Sequence, residues 1–382
     1  MKKMIQIGAG NIGRACIGRL FSDIGYQIYF SDVNQELLSL LSSRKEYNVR
    51  IVGQNLDNTI CIKNIDRVPE SNSELLSLFD DIDLITTAVG VNILPKIAPF
   101  IVNAIERRYE TKNDKILNIM ACENTIGASD KLKEAVYGIL NEKIKDWMNG
   151  KIAFSNVAVD SIVPTIKNED PLTVTSESFA ELIIDKTTFL GDIKETEGLI
   201  LKENLEAYVQ RKLFTLNTGH AITAYLGFEY NKATIYDAIN DDNIKSIVYG
   251  AMKESGNVLI KRYSFTEEEH SKYIDKILNR FFNPYLEDSV LRVGREPLRK
   301  LSYNDRLIKP IRGAIEYNME YKNLLRGVIS AFKFYNSEDE ESIKLKKMLE
   351  EENLYDIIIK ITGLENEKHL VDEIYSHLKN KE

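Results

Sequence analysis

Long apolar segments are absent from this sequence. The chain has 382 residues, of which 43% are hydrophobic, yet no apolar run approaches the roughly 20 residues that a membrane-spanning helix needs. The apolar run in the opening MKKMIQIGAG is too short for a signal peptide. We therefore expect a cytoplasmic protein with no membrane partner and a core large enough for two or three domains.

Cysteine is scarce as well. Cys16, Cys61 and Cys122 lie far apart and form neither a CxxC motif nor a cluster with histidine. This pattern predicts a reducing compartment and no structural zinc, and we expect no metal site.

No long block of one charge sign occurs. The chain has 50 basic and 58 acidic residues, a net charge of -8, which argues against a general role in binding nucleic acid or membrane surfaces. It leaves room for a local basic pocket, so a small anionic metabolite is the expected partner. The patterns do not fix the oligomeric state, and a monomer is compatible with them.

Strands and helices alternate in the first half of the chain. The segments MIQIG, QIYFSD, LITTAVG, ILNIMACEN and IAFSNVAVD are typical of strands, and helical patterns cover residues 93–107 and 126–140. This alternation predicts a mostly parallel, doubly wound sheet with helices on both faces. An antiparallel hairpin around residues 47–65 interrupts the pattern.

Helical spacing dominates from about residue 196. Tyr273, Ile274, Ile277, Leu278 and Phe281 form one apolar stripe, and charged closing helices are predicted at 342–361 and 368–379. No repeat or linker marks the boundary. We expect an α/β domain over residues 1–195 and a mainly α-helical domain over residues 196–382.

The string GAGNIGR follows the first predicted strand and opens a helix. Gly8, Gly10 and Gly13 match the G-x-G-x-x-G fingerprint of a dinucleotide-binding, Rossmann-type domain. Asp32 ends the second strand, where a carboxylate accepts hydrogen bonds from a ribose and repels a 2′-phosphate. NAD is therefore favoured over NADP. A glycine-rich turn without a ligand is the alternative.

The predicted NAD site also includes TTAVG, which ends a strand at the cofactor crevice, although a buried strand with small residues explains TTAVG equally well. The predicted cofactor-binding residues are Gly8, Ala9, Gly10, Asn11, Ile12, Gly13, Asp32, Thr87, Ala88 and Val89.

Three polar residues lie in the otherwise apolar helix RKLFTLNTGHAITAYLG. At about 100° per residue, Lys212, Asn217 and His220 fit one broad face and could point into one cavity. Such groups are costly to bury without partners, at roughly 1–3 kcal/mol each. A surface lysine beside satisfied core polar groups is the structural alternative.

Basic residues are concentrated in VGREPLRKLSYNDRLIKP, just after Arg292. This cluster predicts a clamp for a phosphomonoester and hence a sugar phosphate substrate. A solvated charged face, paired with Glu296 and Asp305, is the alternative. The predicted phosphate ligands in this cluster are Lys300, Lys309, Arg295 and Arg299.

The segments GAGNIGR, TTAVG, ACEN, AVDSIVP and RKLFTLNTGHAITAYLG resemble those of the polyol-specific long-chain dehydrogenases, and the likeness runs nearly end to end. The resemblance implies metal-independent oxidation of a secondary alcohol, with Lys212 as catalytic acid/base in a triad with Asn217 and His220. It implies that Asn124 is a second oxyanion donor and that Asp160 lies near the lysine. It also places Lys300 and Lys309 near the substrate.

The implied chemistry agrees with physical reasoning. Reducing a ketone creates an alkoxide that needs a proton and aimed donors, and desolvation beside a cationic nicotinamide lowers the pKa of a lysine toward the roughly 7–8 that such catalysts use. Asp160 could instead have a structural role as a cap. Ser161 departs from the family, which commonly has arginine there.

We expect an active site that takes its cofactor from the first domain and its catalytic helix from the second. Two alternatives stay open. A free-polyol or hexuronate dehydrogenase would share the triad but lack a phosphate clamp, and an NAD-binding sensor would bind the cofactor without turnover.

Overall fold

The chain divides into two units, Met1–Tyr208 and Val209–Glu382, in the computed structural model. The structure describes residues 1–53, 56–125, 127–163, 168–286 and 288–380. Within these residues no helix combines the length and the apolar character that crossing a membrane demands.

The strands that the structure describes lie in the first unit and form three sheets. Their bounds are β1 Lys3–Ile7, β2 Gln27–Ser31, β3 Glu46–Gly53, β4 Leu56–Lys63, β5 Ile65–Arg67, β6 Leu84–Thr87, β7 Leu117–Ala121, β8 Ile152–Phe154, β9 Val157–Asp160, β10 Val174–Glu177, β11 Glu181–Asp185 and β12 Leu199–Lys202.

Helices of the first unit follow most of these strands. They are α1 Arg19–Asp23, which continues a π-helical segment Gly13–Gly18, then α2 Gln35–Arg44, α3 Asn72–Asp81, α4 Leu94–Glu110, α5 Ala128–Tyr137 and α6 Glu142–Trp147. The helical predictions for 93–107 and 126–140 are confirmed by α4 and α5, although Ile126 lies outside the described residues.

The main sheet has the strand order β5-β2-β1-β6-β7-β8, and every neighbouring pair is parallel. Adjacent residues of β1 face opposite sides, since Met4 and Ile5 belong to separate buried clusters. This is the doubly wound Rossmann arrangement predicted from the sequence. From β1 the chain adds β2 and β5 on one side of the sheet and then β6, β7 and β8 on the other side. The order of the strands therefore reverses between β1 and β6, and the crevice at the carboxyl ends of these two strands is where such sheets bind ligands.

The predicted hairpin is also confirmed. β3 and β4 pair antiparallel from Glu46 with Lys63 to Gly53 with Leu56, and β10 adds a parallel third strand to β3. The connecting residues 54–55 lie outside the described part of the chain.

The prediction of one strand over IAFSNVAVD is wrong. β8 closes the main sheet, whereas β9 joins β11 and β12 in another sheet. The break falls at Asn156, whose side chain accepts from the Ser129 amide and donates to Asp130, while its carbonyl accepts from the Asp185 amide. Tertiary partners therefore redirect a segment whose apolar pattern is continuous. The predicted first domain ends at residue 195, whereas β12, the last strand of the first unit, lies after that residue.

The second unit is helical. After α7 Leu205–Arg211 and a π-helical segment Lys212–Asn217 it contains α8 Thr218–Glu229, α9 Ile235–Ile239, α10 Asp242–Tyr263, α11 Glu267–Phe281, α12 Val290–Gly294, α13 Pro297–Lys300, α14 Ile308–Glu316, α15 Lys322–Phe332, α16 Glu340–Glu351, α17 Leu354–Thr362 and α18 Lys368–Lys379.

Helix α8 lies at the centre of this unit, since its residues from Ala221 to Gly227 are all buried. The predicted apolar stripe on α11 is buried as expected. The single helix predicted over 342–361 is instead two, because the Asn353 side chain accepts from the amides of Tyr355 and Asp356 and begins α17.

Candidate active site

The glycine turn between β1 and the first helix has the shape that a dinucleotide needs. Gly8 has a φ of 96°, and a Cβ there would lie 2.4 Å from the Ala88 oxygen. A Cβ on Gly13 would lie 1.9 Å from the Gly8 oxygen. A Cβ on Gly10 would meet nothing within 4 Å. Gly8 and Gly13 therefore allow close packing, whereas Gly10 leaves open space for a pyrophosphate.

Asp32 is held against this turn. Its Oδ2 accepts a hydrogen bond from the Ala9 amide at 2.7 Å, and its Oδ1 accepts from the Asn34 amide at 2.9 Å. The half-buried carboxylate lies where the fingerprint requires an acceptor for a ribose hydroxyl. Asn11 and Ile12 follow in the first helical turn, and their side chains are exposed and half-buried.

The predicted loop Thr87–Val89 contacts the glycine turn, since the Ala88 amide donates to the Ile7 oxygen at 2.8 Å. Glu123, whose role the sequence reasoning missed, organises this loop. Its carboxylate, 7% exposed, accepts from the Thr87 hydroxyl at 2.7 Å and from the amides of Val89 and Gly90 at 3.0 and 2.8 Å. The one sequence feature that could have pointed to Glu123 was its place in ACEN, beside Asn124.

Asn124 is exposed directly after Glu123. The clamp made by Glu123 thus brings the predicted oxyanion donor next to the loop Thr87–Val89 within the first unit. Asp160 lies elsewhere in that unit, at the end of β9, and is 4% exposed.

Charged groups surround Asp160 even though residue 161 is serine. Burial raises the pKa of the Cys16 thiol to about 11; Arg19 lowers it, whereas Asp160 and Glu177 raise it, so all three groups act on this thiol. Arg19 is only 6% exposed. Arg19 and Asp160 therefore both lie near Cys16, and the Ser161 hydroxyl donates to the Phe179 oxygen at 3.4 Å.

The segment with Lys212, Asn217 and His220 lies in the second unit and differs from the helix we predicted. Residues Lys212–Asn217 form a π-helical turn before α8 begins. In such a turn hydrogen bonds connect residues five apart, so Asn217 lies more nearly above Lys212 than the offset of about 140° in an α-helix would allow. All three side chains are half-buried, whereas the intervening Phe214, Thr215, Leu216, Thr218 and Gly219 are buried.

Two hydroxyl groups explain why the helix widens there. The Thr218 side chain donates to the Leu213 oxygen at 2.9 Å, and the Ser255 side chain donates to the Phe214 oxygen at 2.8 Å. Side chains thus satisfy carbonyl oxygens that the backbone ladder of a regular α-helix would use. Such π-turns are frequent at functional sites.

His220 faces a carboxylate that the sequence reasoning also missed. Its Nε2 lies 3.0 Å from Oδ2 of Asp288, without linear hydrogen-bond geometry, and its ring stacks on Phe281. Burial, together with the positive charges of Arg292 and Lys300, lowers the pKa of His220 to about 3. The imidazole is therefore neutral at physiological pH.

The basic segment lies in the same unit as this helix. The Thr218 hydroxyl also donates to the Arg306 oxygen at 2.7 Å, which joins the two. Arg299 forms ion pairs with Glu296 and Asp305 at 2.6 and 3.0 Å, as the alternative interpretation expected. Arg295 is exposed and forms no ion pair with any residue that the structure describes.

Lys300 is 5% exposed, and its ammonium group donates to the carbonyl oxygens of Val293 and Arg295. Burial lowers the pKa of Lys300 to about 7, and the charges of Arg306 and Arg299 act in the same direction. Lys309 is half-buried in the first turn of α14. The segment thus places basic residues beside the helix that carries His220.

Both units match known family models. Residues 2–198 match the mannitol dehydrogenase Rossmann domain, and residues 204–381 match the mannitol dehydrogenase C-terminal domain. The chain belongs to the mannitol dehydrogenase family. It is an NAD-dependent polyol dehydrogenase of that family, and the open space at Gly10 together with the anchored Asp32 carboxylate fits NAD.

Two solved structures show the same fold. One is a D-sorbitol dehydrogenase in substrate-free form, 15% identical, with a TM-score of 0.83 over 98% of this chain and 92% of that one. The other is Pseudomonas fluorescens mannitol 2-dehydrogenase in a ternary complex with NAD and D-mannitol, also 15% identical, with a TM-score of 0.72 over 100% of this chain and 92% of that one.

Proposed function

We propose that this member of the family interconverts D-mannitol 1-phosphate and D-fructose 6-phosphate. The observation that carries the proposal is the basic segment bound to the catalytic helix through Thr218 and Arg306. The strings GAMKESG, NPYL and VGREPLRKLSYNDRLIKP also resemble mannitol-1-phosphate 5-dehydrogenase. A phosphomonoester is the natural counter-ion for such a cluster.

Lys212 is the proposed acid/base. NADH, when bound by the glycine turn and Asp32, supplies the hydride that reduces the C2 carbonyl. Lys212 donates its proton to the carbonyl oxygen and takes it back in the reverse direction. The amides of Asn217 and Asn124 donate hydrogen bonds to the negative charge that develops on that oxygen.

His220 and Asp160 support this step. A neutral imidazole has one donor and one acceptor nitrogen, which suits it to bind a substrate hydroxyl, orient Lys212, or do both. The carboxylate of Asp160 is the proposed partner for the lysine ammonium.

The phosphate binds at the basic segment. Arg295 is the strongest ligand in this proposal because its guanidinium is exposed and forms no ion pair with a described carboxylate. Two of the three ammonium protons of Lys300 are used by carbonyl oxygens, which leaves one for the phosphate. A bound dianion would also stabilise the charged form of Lys300 against its neighbouring arginines. Lys309 completes the proposed clamp.

A free polyol is the second candidate substrate. The two solved structures are sorbitol and mannitol 2-dehydrogenases, and the ion pairs of Arg299 reduce the positive charge that the segment can offer.

An NADH absorbance assay distinguishes these functions. Fructose 6-phosphate, fructose and a hexuronate are compared at equal concentrations with the same enzyme. We expect kcat/KM for fructose 6-phosphate to exceed that for fructose by at least about 100-fold, as two or more charged hydrogen bonds would give. Equal rates would point to a free polyol. NADH binding without oxidation by any ketose would point to a sensor.

A further inference from the structure

A buried carboxylate faces the histidine of the catalytic helix. Asp288 is 7% exposed and precedes α12, and its Oδ2 lies 3.0 Å from Nε2 of His220. We infer that Asp288 is a positioning residue that keeps the ring proton of His220 on Nε2, so that Nδ1 is the acceptor turned toward the substrate. The role of Nδ1 rests on the proposed function, whereas the position of the proton does not.

Asp288 is itself fixed from two sides. The Arg292 guanidinium, one helical turn later, pairs with Oδ1, and the Asp288 carbonyl oxygen accepts from the Ile235 amide at 2.8 Å. The first contact favours the ionised carboxylate, which can only accept hydrogen bonds. The second ties the backbone at Asp288 to α9.

The neighbouring carboxylate decides which ring nitrogen of His220 carries the proton. Because the ring is neutral, one nitrogen carries the proton and the other a lone pair. An unprotonated Nε2 would place its partial negative charge 3.0 Å from a carboxylate oxygen in a site with little water. A proton on Nε2 removes that repulsion even though the contact is not linear.

The surroundings hold the ring in this orientation. Phe281 stacks on it with centroids 5.1 Å apart and planes 20° apart. A cavity of about 10 Å³ adjoins His220 and is also lined by Arg280, Asn283 and Asp288, roughly the size of one water molecule. Nε2 is buried, whereas the side chain as a whole is 20% exposed. The accessible part of the ring is therefore not Nε2.

The tautomer can be observed directly. The chain has four histidines, so ¹⁵N-histidine labelling of the full enzyme gives few ring signals, and His220→Gln assigns those of His220. We expect a pyrrole-like shift for Nε2 and a pyridine-like shift for Nδ1. In Asp288→Leu, the Nδ1–H form should become substantially populated. A wild-type spectrum with the proton on Nδ1 overturns the inference.

Kinetics test the consequence of that proton. We expect Asp288→Leu to lower kcat with fructose 6-phosphate roughly 10–100-fold, as is typical when a partner that orients a functional histidine is lost. Asp288→Asn keeps an acceptor oxygen and should recover part of that loss. The affinity for NADH should stay within about 2-fold, because the dinucleotide residues lie in the first unit. The matched control is Asp372→Asn, since Asp372 is an exposed carboxylate on α18.

The outcomes separate this inference from the proposed function. If fructose 6-phosphate is not reduced, the proposed function fails, while the ring shifts still decide where the proton lies. If Asp288→Leu lowers the melting temperature but leaves the ring shifts unchanged, the carboxylate is only structural and the inference is overturned.

Discussion

Thr87 donates its hydroxyl to Glu123 at 2.7 Å, and both side chains are buried. The same carboxylate accepts the amides of Val89 and Gly90, so one residue fixes the loop after β6 and the strand end that carries Asn124. Since Val89 is one of the proposed NAD-binding residues, disorder in this loop should weaken cofactor binding.

Glu123→Gln should therefore weaken NADH binding. Its amide keeps one acceptor oxygen but turns an NH₂ group toward at least one of the donors that the carboxylate accepts, which leaves a buried donor unsatisfied at a cost of roughly 1–3 kcal/mol. We expect a dissociation constant for NADH about 10-fold higher, measured by fluorescence titration. Glu134→Gln, at an exposed position of α5, is the matched control. An unchanged NADH affinity would show that the clamp does not serve the cofactor.

Alanine substitutions at Gly13 and Gly10 should have different effects, one on stability and the other on NADH binding. In Gly13→Ala the new methyl group would lie 1.9 Å from the Gly8 oxygen, so the backbone must move and stability should fall by roughly 1–3 kcal/mol. In Gly10→Ala the methyl group enters open space, so the fold should remain intact while NADH affinity drops at least about 10-fold. Thermal melts and NADH titration of both variants check this. Two variants with the same profile would contradict the separate roles.

The sequence predicts most of the first unit because its signals are local. The parallel, doubly wound sheet follows from the alternation of strands and helices, and Gly8, Gly13 and Asp32 are recognisable from spacing alone. The π-turn at Lys212–Asn217 depends on hydroxyl groups such as that of Ser255, which lies on another helix. No local pattern encodes it.

The two carboxylates missed in the site have similar explanations. Glu123 stands beside a residue that the family resemblance had already singled out, and its three bonds become visible only when β6 and β7 pair. Asp288 meets His220 from a distant part of the chain. Side chains that serve other side chains carry no spacing signal, so their roles had to come from the structure.

Lys212→Ala should separate chemistry from cofactor binding. The proposed proton donor is lost, so kcat should fall by at least about 1000-fold, near the range for general acid–base groups combined with charge stabilisation. NADH affinity should change less than about 2-fold, because the glycine turn and Asp32 are untouched. Stopped-flow and titration measurements check both numbers. Loss of NADH affinity with unchanged turnover would contradict the assigned role.

Arg295 and Arg299 form a matched pair for the phosphate clamp. Arg295→Gln should raise KM for fructose 6-phosphate roughly 10–100-fold, the effect of one or two charged hydrogen bonds, and leave the rate with fructose unchanged. Arg299→Gln should have a smaller effect on KM, because Glu296 and Asp305 already neutralise that guanidinium. Equal effects of Arg295→Gln on both ketoses would favour a free polyol as substrate.

His270 should make the enzyme sensitive to acid. It is 3% exposed. Burial and the Arg211 charge together lower its pKa to about 4, although the Met252 backbone acts in the opposite direction. Above its ordinary pKa of 6.5 both folded and unfolded chains are neutral at this residue, so its contribution to stability is fully present. Below that value only the unfolded chain gains a proton, and stability is lost at up to about 1.4 kcal/mol per pH unit until the folded pKa near 4 is reached.

His270→Leu removes this proton uptake. The His270 ring packs closely against Gly256, where a Cβ would lie 2.2 Å from it. We expect the free energy of unfolding of the wild type to fall between pH 6.5 and pH 4 by roughly 3 kcal/mol more than that of the variant. His220, with its pKa near 3, should keep part of the slope in both proteins. Urea titrations across this range provide the measurement, with His377→Gln on the exposed side of α18 as control. Parallel stability curves for wild type and His270→Leu would mean that His270 takes up its proton as easily in the folded chain as in the unfolded one.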